Sequence, residues 1–469
     1  MTKSEAKMQS SFLTVRMLQL VCFVLFSLVS VLISYFFNYT QPNPYIDEQF
    51  HIPQAAKFCK GNFFEWDHKI TTLPGLYLFS IGIFKPIGLL LKYDICTVNI
   101  LRSTNLICAI FNFYLIYEIL KVKNISKDGI DQMSLFKILL SALNISTFPV
   151  LYFFSFLYYT DALSTSMVLL MYALNLQSKY QLSAAMGFFA VMVRQTNIIW
   201  VFYIATEIVL SDLEVFFEKM SKKNAFSKGS YLKVSQAMIK QLISRGTHKK
   251  VIGFAMVMFL FVLFIMLNQG IVVGDRSSHK PVVHVPQMFY FATFCLFFSL
   301  PYALRSLESF SKLLFSIDRS FILLLWAVAF YYIIQHNTLV HPFTLADNRH
   351  YTFYIWKRLY ENIPYFRYLM IPVYVFSFYH LMRNCTFKYF FLFTTCVFLN
   401  LVPQLLLELR YFIMPFILYR LHFNINSLKW WELALEFSFN SLINIVTIYI
   451  FFTKKFYWED SADIQRIMW

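Results

Sequence analysis

The sequence is dominated by apolar runs of about 20 residues, which recur from Met17 to Phe452. A helix of about 20 residues crosses roughly 30 Å of hydrocarbon. Because lipid offers no hydrogen-bond partners to the backbone, such spans form helices rather than isolated strands. The chain is 58% hydrophobic and 14% charged, whereas about a quarter of the residues in a soluble domain are charged. We therefore predict an all-α polytopic membrane protein, one domain over residues 1–469, with about 11 to 14 transmembrane helices.

The formal net charge of +16 comes from basic residues that lie mostly in the loops between apolar runs. Such residues set topology and contact phosphates at the bilayer edge. The sequence contains no nucleic-acid-binding module, so the expected partner is the lipid bilayer and not nucleic acid. The lysine-rich segment 207–250 is predicted to be a cytoplasmic loop. The same rule places segments 38–70 and 336–362 on the opposite, luminal side.

The run Leu182–Leu210 is too long for one simple span and carries Arg194, Gln195 and Asn197 in its middle. It is predicted to form two short helices around a polar apex. Polar residues at membrane depth are expensive, so this cluster is expected to line a cavity; a hydrogen-bond cluster between helices is the alternative. The seven cysteines occur singly, without metal-ligand spacing, and are interpreted as small packing residues.

Two adjacent carboxylates, Asp47 and Glu48, follow the first apolar run in the stretch YIDEQFHIPQ. Like charges at one site resist joint ionisation, which can raise the pKa of one of them. At the membrane edge the pair is suited to supply a general base for a reaction on a membrane-bound donor. The alternative is a pair of solvated surface acids.

A second cluster is the stretch LADNRHYTFYIWKR, which runs from Leu345 to Arg358. Arginine suits bidentate phosphate contact, and lysine acts as a point charge. An aromatic and basic anchor for lipid headgroups explains the same composition. The charged residues of this cluster are Asp347, Arg349, His350, Lys357 and Arg358.

Two smaller features complete the candidates. The stretch GDRSSH places a glycine, which permits a sharp turn, beside Arg276, which is able to reach a phosphate or a carboxylate. The stretch YYTD leaves a lone acid, Asp161, between two apolar runs; a helix N-cap explains it equally well.

The sequence has no P-loop, GxSxG elbow, HExxH or nucleotide-binding βαβ pattern. A sugar transferred by this chain is therefore expected to come from a lipid-borne donor.

The stretch YIDEQFHIPQAAKFCKGNFFEWDHKITTLPGLYLFSIG resembles the first luminal loop and second helix of the endoplasmic-reticulum α-1,2-glucosyltransferases of the N-glycosylation pathway. The similarity continues in order through FSFLYYTDALS, VRQTNIIW, GIVVGDRSSH, LADNRHYTFYIWKR and VPQLLLELRYFIMPFILYRL, as far as Leu421. The segment 207–250 and the C-terminal tail are the least typical parts, and no function is expected of them.

The resemblance implies a GT-C glycosyltransferase fold in the endoplasmic reticulum membrane, with a luminal active site. It implies transfer of glucose from dolichyl phosphate glucose to the terminal glucose of the diglucosylated, dolichyl-diphosphate-linked oligosaccharide. The essential luminal acid of the superfamily falls on Asp47, with Glu48 beside it. Transfer from a β-linked donor to an α-linked product inverts the anomeric centre, which requires a base and no covalent intermediate.

Cations are expected to stabilise the leaving phosphate, with Arg349 first and Lys357, Arg358 and Arg276 after it. The wider set of expected substrate-binding residues adds His51, Asp161, Arg194, Asp347 and His350. No metal and no cofactor are predicted, because the adjacent acids lack a spaced third ligand. Two alternatives remain at this stage. One is a mannose-donor enzyme of the same superfamily, and the other is a polytopic transporter of lipid or sugar.

Overall fold

The computed structural model describes residues 3–124, 132–222, 231–276, 280–384, 387–459 and 461–469. These residues form helices joined mostly by short connections, with one small β-hairpin. Short 3-10 turns cover Gln195–Asn197, Leu409–Phe412 and Ile425–Ser427, and Trp356–Glu361 is a π-helix. The α-helices in chain order are α1 (Lys3–Thr40), α2 (Glu48–Cys59), α3 (Gly75–Leu91), α4 (Val98–Lys123), α5 (Gln132–Ser146), α6 (Pro149–Phe154), α7 (Thr160–Leu176), α8 (Tyr180–Val193), α9 (Ile198–Lys222), α10 (Tyr231–Ser244), α11 (Thr247–Asn268), α12 (Pro286–Phe298), α13 (Leu300–Leu314), α14 (Ile317–Asn337), α15 (Pro342–Ala346), α16 (Tyr351–Ile355), α17 (Phe366–Leu369), α18 (Ile371–Arg383), α19 (Phe387–Leu401), α20 (Ile413–Leu421) and α21 (Trp430–Thr453).

Within the described ranges, 5 helices are long and apolar enough to cross a membrane, and up to 6 spans result if the pair α12 and α13, bent by 108°, counts as one. Only 11% of the most apolar window of α11, and 11% of that of α14, is buried inside the protein. These faces are therefore available to lipid. The predicted all-α polytopic membrane fold is confirmed. The five candidates are Met17–Thr40, Val98–Lys123, Thr247–Asn268, Ile317–Asn337 and Trp430–Thr453.

This number of full-length spans is below the predicted 11 to 14 helices because several apolar runs are broken locally. The run from Leu135, for example, is divided between α5 and α6. Phe148 precedes Pro149 and has an extended ψ of 118°, as expected for a residue whose helical conformation is blocked by the following proline. Shorter apolar helices result, among them Gly75–Leu91, Met133–Ser146, Tyr180–Val193 and Phe390–Leu401.

The predicted break in the run Leu182–Leu210 is confirmed. Helix α8 ends at Val193, a 3-10 turn follows, and α9 begins at Ile198. The amide of Asn197 donates to the hydroxyl of Ser164 across 2.8 Å. The amide of Gln195 donates to main-chain carbonyls of two other segments. Both amides therefore form contacts between segments of the bundle.

The ends of the first and last long helices lie side by side. Phe37, near the end of α1, is fully buried. Its ring stacks on Phe451 of α21 with centroids 5.0 Å apart, and on Phe156 at 5.1 Å. Helices α1 and α21 therefore end at the same edge of the bundle.

Two short strands, β1 (Lys455–Trp458) and β2 (Ser461–Arg466), form an antiparallel hairpin directly after α21. Beyond β2, Met468 forms a parallel bridge with His350. The Met468 N–H donates to the Arg349 carbonyl across 2.8 Å. The all-α prediction missed this hairpin, because four- and six-residue strands leave no clear alternating pattern in a short tail.

A disulfide joins Cys59, at the end of α2, to Cys96 in the connection between α3 and α4, with their Cα atoms 6.6 Å apart. The interpretation of all cysteines as packing residues is therefore wrong for this pair. Their separation of 37 residues matches no local motif. The packing of α2 against α3, together with the turn after α3, brings them close. Among the described cysteines, Cys22, Cys108 and Cys396 are free thiols; Cys385 lies outside the described residues.

The segment 207–250 contains the end of α9 and all of α10 rather than an extended loop. Asp212 on α9 accepts a hydrogen bond from the Thr247 hydroxyl at 2.7 Å and pairs with Lys250 at 2.8 Å. These contacts tie α9 to the start of α11. The cytoplasmic location of this segment remains a prediction.

Candidate active site

A cavity of about 920 Å³ lies where four parts of the chain meet. They are the start of α2, the segment around α15 and α16, the approach to α20, and the C-terminal hairpin. Asp47 shares this cavity with Asp347, Arg349 and His350, as the sequence predicted for one site. The lining residues are Ile46, Asp47, Gln49, Phe50, Phe343, Thr344, Ala346, Asp347, Arg349, His350, Thr352, Leu406, Leu407, Glu408, Arg410, Tyr457, Trp458 and Glu459.

A strained turn presents Asp47 to this cavity. Asp47 is the N-cap residue of α2, and Ile46 before it has a φ of 49°. A β-branched residue rarely adopts this left-handed conformation, which costs on the order of 1–3 kcal/mol and is often found at functional sites. The Asp47 N–H donates to the Tyr159 hydroxyl across 3.1 Å. The turn is therefore fixed by tertiary contacts.

Asp47 forms an ion pair with Arg410, whose Nη1 lies 3.0 Å from Oδ2 of the carboxylate. The Asp47 side chain is 36% exposed, whereas Arg410 is only 12% exposed. The guanidinium also lies over the rings of Phe154 and Tyr159, with centroids 5.3 and 5.1 Å away. Ring faces attract cations. The aromatic rings therefore hold Arg410 in place, and Arg410 orients the carboxylate.

Arg410 is shared among three carboxylates. Its Nη2 lies 2.7 Å from Oε2 of Glu408, and its Nη1 lies 3.8 Å from Oδ2 of Asp161. The other Asp161 oxygen pairs with Arg194 at 2.5 Å. Alternating charges thus run from Arg194 through Asp161 and Arg410 to Asp47. Buried charges of this kind are tolerated because each has a partner of opposite sign.

The pKa of Asp47 follows from these neighbours. Burial is the largest single effect and raises the pKa of this carboxyl, but the surrounding basic groups, Arg410 foremost, together outweigh it and hold the pKa below its usual value. Two adjacent acids can raise the pKa of one of them, but the pKa of Asp47 is not raised. At neutral pH its carboxylate is ionised and ready to accept a proton.

Glu48 points into a different environment from Asp47. Its side chain and that of Arg102 on α4 are both fully buried. Arg102 donates to Glu48 through Nε at 2.8 Å and through Nη2 at 2.5 Å. The backbone N–H groups of Tyr45 and Tyr158 donate to the same carboxylate. Glu48 therefore joins the start of α2 to α4 and to the turn before α7.

His51 lies one turn further along α2. Its Nδ1 is 2.5 Å from the Tyr77 hydroxyl, and its ring packs near that of Tyr159. Burial lowers the pKa of His51 below its usual value, so the ring is neutral at neutral pH. The ring supports the wall behind Asp47 through Tyr159, the residue that fixes the Asp47 N–H.

The second predicted cluster forms the opposite wall of the cavity. Arg349 binds Asp347 with both arms of its guanidinium, through Nε at 2.8 Å and Nη2 at 2.7 Å. It also stacks on the Trp458 ring, 4.5 Å from the centroid. Burial would raise the pKa of Asp347, but the Arg349 hydrogen bonds hold it below its usual value. His350 lies 3.8 Å from the same carboxylate.

Other predicted residues lie elsewhere. Lys357 and Arg358 are exposed, and each lies over an aromatic ring of its own helical segment, Phe353 or Tyr354. Arg276 is exposed and donates to Asn268; residues 277–279 lie outside the described chain. None of these three cations lines the cavity. Asp161 is not a helix N-cap, since the N-cap residue of α7 is Tyr159.

Sequence reasoning missed Arg410 and Glu408, although both lie in the stretch LLLELRYF. Two opposite charges between apolar runs were the available signal, because charges at membrane depth are expensive and usually functional. It also missed the contribution of the tail, which supplies Tyr457, Trp458 and Glu459 to the cavity. The expectation that the tail has no role is therefore wrong for the geometry of the site.

Metal binding has no support from grouped ligands in the described parts of the chain. No three His, Cys, Asp or Glu side chains there are placed to hold a metal ion. Metal-independent transfer remains a prediction.

Fold and site together define a multi-pass membrane protein with a charged cavity at the shared end of its first and last long helices. Comparison with known proteins gives the family. The family model described as the DIE2/ALG10 family matches residues 41–421. The chain belongs to the DIE2/ALG10 family, which confirms the resemblance detected in the sequence motifs.

Similar proteins from distant organisms align along nearly the whole chain. A human protein named Dol-P-Glc:Glc(2)Man(9)GlcNAc(2)-PP-Dol alpha-1,2-glucosyltransferase is 38% identical over 94% of this chain and 96% of its own length. A protein of the same name from Drosophila melanogaster is 39% identical over 90% of this chain and 93% of its own length. Another, from Arabidopsis thaliana, is 32% identical over 92% of this chain and 96% of its own length. No solved structure matches the chain.

Proposed function

We propose that this protein transfers glucose from dolichyl phosphate glucose, in α-1,2 linkage, to the terminal glucose of the diglucosylated lipid-linked oligosaccharide. This is the final glucose addition before the oligosaccharide is used in protein N-glycosylation. The observation that carries the proposal is the end-to-end match, at 38% identity, to a protein with that named activity. The cavity supports it, because an ionised acid, Asp47, and two arginines, Arg349 and Arg410, line one space.

Asp47 is the proposed general base. Transfer with inversion proceeds by a single displacement in which the acceptor hydroxyl attacks while the phosphate leaves from the opposite face. The hydroxyl loses its proton as the new bond to the anomeric carbon forms, and Asp47 accepts that proton. The ion pair with Arg410 uses Oδ2. In this mechanism Oδ1 receives the proton.

Arg410 is proposed to keep Asp47 ionised and oriented. The phosphate leaves on the face opposite Asp47, so its charge is proposed to be stabilised by another cation of the cavity, Arg349. Preorganised cations stabilise charge that develops in the transition state, because they need no rearrangement during the reaction. Arg349 and His350 line the same cavity and remain candidates for contact with the donor phosphate or the sugars. The cavity gives no such role to Lys357, Arg358 or Arg276.

Glu48 is proposed to act through position rather than through chemistry. Its carboxylate is fully buried and bound by Arg102 and two backbone N–H groups. A base in that environment has no route to a substrate hydroxyl. Glu48 instead holds the first turn of α2 so that the neighbouring Asp47 faces the cavity.

The proposed location is the endoplasmic reticulum membrane with the cavity on the luminal side. The disulfide between Cys59 and Cys96 supports this orientation, because disulfides persist in oxidising compartments such as this lumen. The basic segment 207–250 then lies in the cytosol, as the positive-inside rule requires. A luminal site also suits a donor whose sugar is carried on a lipid.

Glucose transfer by the purified, detergent-solubilised protein tests this function. Dolichyl phosphate glucose and dolichyl phosphate mannose are offered separately with the diglucosylated acceptor. Transfer from the glucose donor alone is expected. Transfer of mannose would identify another enzyme of the same superfamily, and absence of any transfer would favour a transporter. Cells that lack the protein are expected to accumulate the lipid-linked oligosaccharide one glucose short.

A further inference from the structure

The C-terminal hairpin is attached to both walls of the cavity. On one side, Trp458 stacks under Arg349 and donates through Nε1 to the Asn348 side chain across 2.9 Å. Met468 pairs with the backbone on either side of His350. The hairpin and the segment around residues 347–351 thus form one continuous wall.

On the other side, Arg466 fixes the hairpin to the helix ends beneath Asp47. Arg466 is 2% exposed, and its guanidinium donates to main-chain carbonyls of Phe451 in α21 and Thr40 in α1. Its backbone exchanges hydrogen bonds with the Tyr45 hydroxyl at 2.6 and 2.7 Å. A cation at two helix C-termini satisfies carbonyls that lack partners within their helices. The hairpin is therefore held firmly where α1 and α21 end.

This position puts Tyr457 and Glu459 of the hairpin on the aqueous side of the site. Strand β1 begins at Lys455, just after α21 ends at Thr453, and α21 is one of the candidate spans. The residues that follow accordingly lie beyond the end of the span. A lipid-borne donor approaches from the bilayer, whereas a sugar chain approaches from water. The part of the substrate that meets these two side chains is therefore the water-soluble sugar chain.

Two exposed side chains of the hairpin, Tyr457 and Glu459, have the chemistry of a sugar-binding surface. Tyr457 is 66% exposed and Glu459 is exposed, yet both line the cavity that contains Asp47. An aromatic ring offers an apolar face with a polar tip, and a carboxylate accepts hydrogen bonds from hydroxyls. Small-molecule sites typically combine such aromatic surface with a few placed polar groups.

We infer that Tyr457 and Glu459 form a binding subsite for the glucose-terminated sugar chain of the acceptor. This inference rests on the proposed function for the identity of the sugar chain. Tyr457 stacks on a sugar ring, and Glu459 accepts hydrogen bonds from its hydroxyls. Trp458, between them in the sequence, lines the same cavity and holds Arg349.

Two measurements on the purified full-length protein test the inference. The first is steady-state transfer with the acceptor varied at saturating donor, and with the donor varied at saturating acceptor. Tyr457→Ala should raise the KM for the acceptor about tenfold, because it removes the ring face on which the sugar stacks, and leave the KM for the donor unchanged. Tyr457→Phe should restore the acceptor KM, and Glu459→Gln should raise it about threefold. Lys455→Ala, on the same strand but away from the cavity lining, is the matched control.

The second measurement is binding of the lipid-free oligosaccharide that ends in two glucoses, with the glucose-free oligosaccharide as a comparison. Weaker binding to Tyr457→Ala than to wild type, for the glucose-terminated probe only, supports the subsite even if no transfer is detected. Active wild-type enzyme with an unchanged acceptor KM in Tyr457→Ala overturns the subsite and leaves the function intact. Equal binding of both probes to wild type and Tyr457→Ala also overturns it.

Discussion

Arg410 donates a hydrogen bond to the Asp47 carboxylate across 3.0 Å, although the two residues are 363 positions apart in the sequence. The contact joins the turn after the first long helix to the turn before α20. It explains how an acid at the end of a membrane span stays ionised in a partly buried site. It also couples the charge states of the two residues, with consequences that can be measured.

Loss of Arg410 should change both the rate and its pH dependence. Arg410→Ala is expected to lower kcat by roughly 10²–10³-fold, as for loss of a preorganised electrostatic group. Arg410 lowers the pKa of Asp47, so its removal raises that pKa. The acid limb of the kcat/KM profile, where activity is lost as the base is protonated, should therefore move to higher pH. Arg410→Lys keeps the charge and should shift the limb less. If the acid limb stays at the same pH in Arg410→Ala, the group whose protonation causes that limb is not Asp47.

Glu48→Gln should act mainly on stability. Removing one partner of a fully buried ion pair leaves the other charge uncompensated, which costs about 3–5 kcal/mol. Thermal unfolding in detergent is expected to show a clearly lower Tm for Glu48→Gln. Glu308→Gln is the matched control, since its ion pair with Lys312 is 73% exposed on both sides. A Glu48→Gln protein with wild-type Tm and no activity would instead place Glu48 in the chemistry.

The choice between these two adjacent acids could not be made from the sequence. Their position after the first apolar run was enough to select both. The N-cap geometry at Asp47 and the first helical position of Glu48 send the side chains in different directions, and Arg102 then captures Glu48 from another helix. The polar apex near Arg194 was predictable because it interrupts an otherwise apolar run. Arg410, the Cys59–Cys96 disulfide and the C-terminal hairpin depend on contacts between distant segments, for which a single sequence carries no periodic signal.

Two arginines of the segment around α16 should behave differently. Arg349 lines the cavity and is fixed by Asp347 and Trp458, so Arg349→Ala is expected to reduce transfer by at least about tenfold. Arg358 is exposed over Tyr354, where solvent and salt make a single charge worth little. Arg358→Ala should keep near-normal transfer in the same assay. Equal activity of the two variants would return Arg349 to a role as an anchor for lipid headgroups.

The orientation of the chain can be tested with single cysteines in sealed microsomes. Asn62→Cys lies in the segment that carries Asp47, and Lys240→Cys lies in α10; both positions are exposed. A membrane-impermeant maleimide should label only the Lys240→Cys protein, because the basic segment is predicted to face the cytosol. Detergent should make the Asn62→Cys protein reactive. The reverse pattern would put the cavity in the cytosol and exclude a luminal site.

In the proposed mechanism Asp47 removes the proton from the acceptor hydroxyl. Its most direct test is the rate of glucose transfer from dolichyl phosphate glucose by equal amounts of folded wild type, Asp47→Asn and Glu65→Gln. Asn preserves the shape of the side chain but cannot accept the proton, so Asp47→Asn should lose roughly 10²–10⁴-fold in kcat with an unchanged Tm. Glu65→Gln alters an exposed acid of the same segment and should retain activity. Near-normal transfer by Asp47→Asn would show that Asp47 is not the base.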